Sequence, residues 1–502
     1  MATSNSKKLT LIALILMIFT EVFGFANMPR AFLLMGYSSI PWYIISGIAF
    51  FIPYSFMMAE FGSAFKNERG GIYSWMNRSV GPKYAFEATF MWYASYVVLI
   101  VDMCSLIWIP LSNLIFGRDI TATWGFWGLK STQVIGIFSI IFIVTMTFIA
   151  TKGLKNISKV TSVGGTAVML LNVLLIIGAL IVLAANHGQL AQPLSFTVSP
   201  NPKYHSTLSI LSFIVFAIFA YGGIEVVAGL VDQTEKPEKN FSKGMIISAI
   251  VITLGYSIGI FMCGIFTNWK QVLSNPDVHL ANVAYVIMQN LGYQLGISLN
   301  LSQSAALSLG AWVARFVGLS MFLALTGSII TLLYGPLKQI IEGTPKGLFP
   351  EKMTEIKDDM PKNAMWIQCI IVVLLLGLLT VGGEGASKFF NIVVSMTNVA
   401  LTIPYMFIAG AFVPFKRKKE INKPFVIFKS HRSSLIWEII VVFTIGFANL
   451  FTIITPAFQG DMQSTIWMAV GPIFFSIVAF IMYSNYEKKN KISKQKVESQ
   501  EE

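Results

Sequence analysis

The chain has 502 residues, 55% of them hydrophobic and 12% charged, with a mean hydropathy of +0.68 and a formal net charge of +12. A soluble domain of that length needs far more polar surface, so lipid is the solvent for most of the chain. His187, His205, His279 and His431 fall in polar connections, while Cys104, Cys263 and Cys369 are scattered through apolar runs. That pattern excludes a metal-ligand spacing or a thiol pair, and no metal or cofactor is expected.

Taken in chain order, twelve apolar runs reach the roughly 20 residues of a membrane helix. They lie near 9–34, 39–65, 84–116, 132–151, 160–185, 206–231, 244–267, 303–341, 363–382, 387–415, 434–456 and 464–486. The first is too long for the core of a cleavable signal peptide. If the N-terminus is cytoplasmic, the inside segments hold 28 of the 36 Lys and Arg residues. The outside segments hold only Arg118, Lys130, Lys203, Lys270 and Lys388. This asymmetry supports both the span count and the direction. It also explains the net charge without nucleic acid. The expected organisation is a cytoplasmic segment 1–8, a transmembrane domain 9–486 and a basic cytoplasmic tail 487–502 beside anionic lipid headgroups.

The first run contains TEVFGFANMP (20–29) and the sixth contains FAYGGIE (219–225). Each sets glycine beside a glutamate inside an apolar helix, and the first adds Asn27 and Pro29. Gly24 and Gly222 are five spans apart, the spacing of a five-plus-five inverted repeat followed by two extra helices. Helix breaks are therefore expected at Val22–Phe25 and Ala220–Gly223. Unwound backbone at that depth is tolerated only where it lines a cavity. A half-helix N-terminus attracts a carboxylate and freed carbonyls attract an ammonium group, which together describe an amino acid. For Gly24 alone, close helix packing is an equally good explanation.

VFGFANMP (22–29), MAEFGSAFKNERGGIYSWMNRSVGPKYAF (58–86), FAYGGIE with EKPEKNF (235–241), and YGPLKQIIEGTPKGLFPEKM (334–353) resemble the amino acid–polyamine–organocation superfamily of permeases. The closest resemblance is to its glutamate/GABA antiporter-like branch. It implies an all-α integral membrane protein with the LeuT-like fold, alternating access, and exchange or proton-linked uptake of amino acids or derived amines. It further implies that Val22, Phe23, Gly24, Phe25, Phe219, Ala220, Tyr221, Gly222 and Gly223 surround the substrate, with Phe219 as an aromatic gate and Tyr221 as a second candidate. Two departures stand out. Val22-Phe23-Gly24 keeps one glycine where relatives often have two, and the short basic tail does not match a C-terminal plug.

Three carboxylates fall inside apolar runs. Glu225 begins the second half of the broken sixth helix, either capping free N–H groups or titrating during transport. Asp102 is read as a contact for a substrate amine, a proton carrier, or a partner of Arg315, with the pair slightly favoured. Glu21 sits at the carbonyl end of a half-helix. A negative charge there is unfavourable unless it is protonated or meets a cation; the alternative is that it faces the cytoplasmic vestibule. Thr326, Ser328 and Thr331 are candidate sodium ligands, although membrane-helix hydroxyls more often bond their own backbone. No lysine lies between Val160 and Ala185 to carry a proton. The leading expectation is a small-molecule transporter of the cell membrane, an exchanger rather than a sodium- or proton-coupled symporter. A polytopic membrane enzyme is disfavoured by the absence of converging catalytic side chains.

Overall fold

The computed structural model describes residues 8–501. The expected N-terminal segment lies outside the described residues except for Lys8, and so does Glu502. Eleven apolar helical stretches among the described residues are long enough to cross a bilayer. The first, Leu11–Ala64, has 54 residues. It cannot be one straight crossing, because the Tyr43 hydroxyl comes within 3.5 Å of the Asn27 carbonyl. A straight helix would hold those backbones roughly 24 Å apart. The reversal is at Gly36, whose φ of +58° suits glycine. The stretch therefore crosses twice, and the total is twelve, as the hydropathy pattern requires.

The helices that form the site are α1 (Leu11–Val22), α2 (Asn27–Met35), α3 (Ile52–Ala64), α4 (Pro82–Leu106), α5 (Leu154–Ala185), α6 (Thr207–Phe219), α7 (Pro237–Phe266), α8 (Gln303–Leu332), α9 (Gly335–Gly343) and α10 (Ile403–Gly410). The last crossings, α11 (His431–Phe458) and α12 (Met462–Glu501), pack on α10 and α4. No strand occurs among the described residues; the fold is all-α. Helices α1, α5 and α7 pack together, α5 also packs on α8, and α3 packs on α7.

The interruptions recur at matching places in the two halves. The first crossing breaks between α1 and α2. The sixth breaks after α6 and continues, not as an α-helix, but as a 3-10 run over Ile224–Leu230. A side chain accounts for the difference. Gln339 Nε2 donates to the carbonyls of Glu225 and Val226 at 3.2 and 3.1 Å, occupying acceptors that an α-helix would use internally. The third crossing, α4, and the eighth, α8, are each followed by a second helical piece, Trp108–Phe116 and α9.

Candidate functional site

The first break forms because Phe23 leaves helical geometry (φ −85°, ψ 78°) and α2 restarts only at Asn27. The amides of Phe25 and Ala26 have no hydrogen-bond acceptor among the described residues, and the carbonyls of Thr20, Glu21 and Phe23 have no donor. At the second break Gly223 takes φ +113°, a conformation that disfavours a side chain. A Cβ there would also stand 3.0 Å from the Glu21 carbonyl oxygen, so the two breaks touch.

A residue outside both motifs joins them. The Tyr256 hydroxyl, on α7, lies 2.8 Å from the Val22 carbonyl and 3.0 Å from the Ala220 carbonyl. It accepts from the Gly24 amide at 3.0 Å and from Asn27 Nδ2 at 3.2 Å. Sequence reasoning missed it, because nothing in the pattern separates Tyr256 from the other fifteen of the 16 tyrosines.

A cavity of about 440 Å³ opens against the breaks, lined by Val22, Phe23, Gly24, Phe25, Phe219, Ala220 and Gly222 among others. A neighbouring cavity of about 330 Å³ runs between α4, α8 and α10 and is lined by Gly223, Tyr96, Asn398, Thr402 and Tyr405. Glu21, Met103, Phe219, Gly222 and Ser328 border both. Such volumes suit a small ligand. Of the nine residues expected around a substrate, eight line these cavities. Tyr221 does not: its hydroxyl donates to the Tyr43 carbonyl at 3.1 Å and its ring stacks on Phe51.

The carboxylates divide. Glu225 is fully buried, and its Oε1 accepts from Trp92 Nε1 at 3.1 Å and from the Tyr96 hydroxyl at 2.9 Å, both on α4. These two side-chain donors reach it from across the bundle. Its Oε2 has no partner among the described residues. Glu21 Oε2 accepts from the Ser328 hydroxyl at 2.9 Å. Asp102 is half-buried on α4 but absent from both cavity walls, since its neighbour Met103 takes the inward position. The expected ion pair with Arg315 does not form. No salt bridge joins them among the described residues, and the Arg315 guanidinium lies over the Trp312 ring, 5.1 Å from its centroid, beside Gly117. Thr326 and Thr331 donate to carbonyls of their own helix, Phe322 and Gly327, at 2.8 and 2.9 Å.

The larger cavity leads past Arg30 on α2 to Leu106, Ile109 and Pro110, the end away from the lysine-rich segments. At the lysine-rich end lies a separate cavity of about 860 Å³, which shares no lining residue with these two, and close contacts cross it. Leu9 pairs with the backbone of Gln233 and Glu235. Lys338, with no exposed side-chain surface, pairs with Asp232 at 2.6 Å. Arg69 reaches Glu342 at 2.6 Å, Asp359 at 3.5 Å and Asp232 at 3.8 Å. Partial burial disfavours the Arg69 charge, but these carboxylates prevail and hold its pKa above the usual guanidinium value.

Residues 9–482 match the model of the amino acid permease family. The chain belongs to that family. It is 53% identical over 489 residues to the inner membrane transporter YjeM of Salmonella typhimurium, covering 97% of this chain and 98% of that protein. Identity to a glutamate/gamma-aminobutyrate antiporter of Lactococcus lactis is 23%, over 89% of this chain and 84% of the relative. A probable agmatine/putrescine antiporter of the same species is 27% identical over 52% of each chain. This amino acid permease is thus a multi-pass membrane transporter of small-molecule substrates and not an enzyme.

Proposed function

We propose that this permease is an exchanger of amino acids or derived amines in the cell membrane, working by alternating access without sodium. The observation that carries the reading is the cavity between two broken helices, open towards the lysine-poor end, with ion pairs across the other. That is the arrangement expected of one state of a carrier whose site faces the two sides in turn. Both termini are assigned to the cytoplasm on the lysine and arginine distribution. The backbone amides of Phe25 and Ala26 would receive a carboxylate, Phe219 would close over it, and Glu225 would couple α4 to the moving segment. Purified protein in liposomes should take up labelled substrate much faster when unlabelled substrate is loaded inside, and equally well with choline in place of sodium. Uptake that needs no internal substrate and stops in choline would establish sodium symport instead. Cysteine labelling at Lys488 from outside intact cells would overturn the assigned direction.

A further inference from the structure

Glu21 is the one carboxylate that borders both cavities, and its surroundings make its charge conspicuous. It lies in the last turn of α1, where the helix dipole is negative and the carbonyls of Thr20, Glu21 and Phe23 are free among the described residues. One carboxylate oxygen is held by Ser328. The other, Oε1, is buried and has no hydrogen-bond partner among the described residues. No lysine or histidine lines either cavity, and the only arginine, Arg30, directs its Nε to the Leu280 carbonyl at 2.8 Å. The protein supplies no counter-ion there, and a buried carboxylate without one is costly. A proton, or a cation brought by the ligand, offsets that cost.

We propose that the cavity between α4, α8 and α10 receives the cationic group of a basic amino acid or an amine, with Glu21 as its counter-ion and Ser328 fixing the carboxylate. The inference rests on the transport reading and narrows it. The carboxylate of a basic amino acid would take the amides of the α2 start, while its side-chain cation would enter the second cavity. That cavity, at about 330 Å³, also offers Asn398 and Thr402. A dicarboxylic amino acid would set like charge against Glu21 and would be rejected.

The test is ligand binding to the purified full-length protein in detergent, read by thermal stabilisation and by competition. The panel is lysine, arginine, agmatine and putrescine against leucine, gamma-aminobutyrate, aspartate and glutamate. Cationic ligands should bind at least about tenfold more tightly than the others, and Glu21→Gln should remove that preference, a tenfold change being about 1.4 kcal/mol. A second readout needs no variant: carbodiimide modification of Glu21, followed by peptide mass spectrometry, should be blocked by agmatine or lysine and not by leucine. If glutamate or leucine binds best, if Glu21→Gln keeps the cationic preference, or if no cationic ligand protects Glu21, the proposal is overturned and transport of other amino acids stands. If no ligand of any charge binds or is exchanged, the transport reading itself fails.

Discussion

The hydroxyl of Tyr256 lies 2.8 Å from the carbonyl oxygen of Val22, and the same hydroxyl reaches the Ala220 carbonyl at 3.0 Å. One phenol on α7 therefore ties the ends of both interrupted helices. Freed backbone groups in a dry environment are costly unless they find partners. The breaks persist because Tyr256, buried against Phe23, Tyr43 and Tyr221, supplies one.

Tyr256→Phe keeps the ring and removes that partner. The Gly24 amide and the Val22 carbonyl keep each other at 3.0 Å, but the Ala220 carbonyl would be left without a donor, at about 1–3 kcal/mol for an unsatisfied buried group. The expected result is a lower unfolding temperature in detergent and a loss of transport of roughly tenfold or more, since about 1.4 kcal/mol is tenfold. Wild-type values for both would show that the hydroxyl does not hold the breaks.

Lys338 and Asp232 should behave as a coupled pair. Lys338 has no exposed side-chain surface and also donates to the Gly229 carbonyl. Removing one partner of a buried pair typically costs about 3–5 kcal/mol, because the other charge is stranded. Lys338→Met should therefore destabilise strongly, while adding Asp232→Asn should recover part of the loss. A double-mutant cycle by thermal unfolding measures the coupling. Strict additivity would mean that the pair does not clamp the lysine-rich end.

Glu60, fully buried on α3, accepts from the amides of Ile427 and Phe428 at 2.7 and 2.8 Å and from Lys416 Nζ at 2.6 Å. It pins the connection before α11 to the transport core. Glu60→Ala should cost about 3–5 kcal/mol by stranding Lys416. Glu60→Gln, which still accepts from the amides, should cost less. Equal losses on thermal unfolding would show that the amide contacts contribute little.

Much of the fold was legible because lipid imposes a simple rule on length and charge, and the helix breaks were legible because Gly24 and Gly222-Gly223 violate that rule at matching places. What was hidden depends on rotation about helix axes. Asp102 and Met103 are adjacent, yet only Met103 meets the cavity; a flat hydropathy pattern does not say which way a fully lipid-buried helix turns. Tyr221 was hidden for the same reason. Trp92, Tyr96, Gln339 and Tyr256 act across 113 to 234 residues of sequence, except for the contact of Tyr256 with Ala220, and no local pattern marks such partners. The second half of the sixth crossing was expected to be a half-helix because a side chain competing for its carbonyls cannot be read from the segment itself.

Glu225 tests whether a buried carboxylate serves the structure or the transport cycle. Its Oε1 satisfies two donors on α4, Trp92 Nε1 and the Tyr96 hydroxyl. Glutamine in its place still offers an oxygen to both, so Glu225→Gln should fold and bind ligand. Alanine leaves both donors buried and unpaired, at about 1–3 kcal/mol each, so Glu225→Ala should unfold at a clearly lower temperature. The groups near the carboxylate are the phenols of Tyr96 and Tyr405, and Glu21 shares a cavity wall with them. If Glu225 takes up and releases a proton as α6 and the Ile224–Leu230 segment move, the glutamine variant should transport with a flattened pH dependence. Transport measured against pH in liposomes separates the roles. Superimposable curves for wild type and Glu225→Gln would leave Glu225 as a hydrogen-bond acceptor joining α4 to the broken helix, and a flattened curve for Glu21→Gln alone would move the proton to the first crossing.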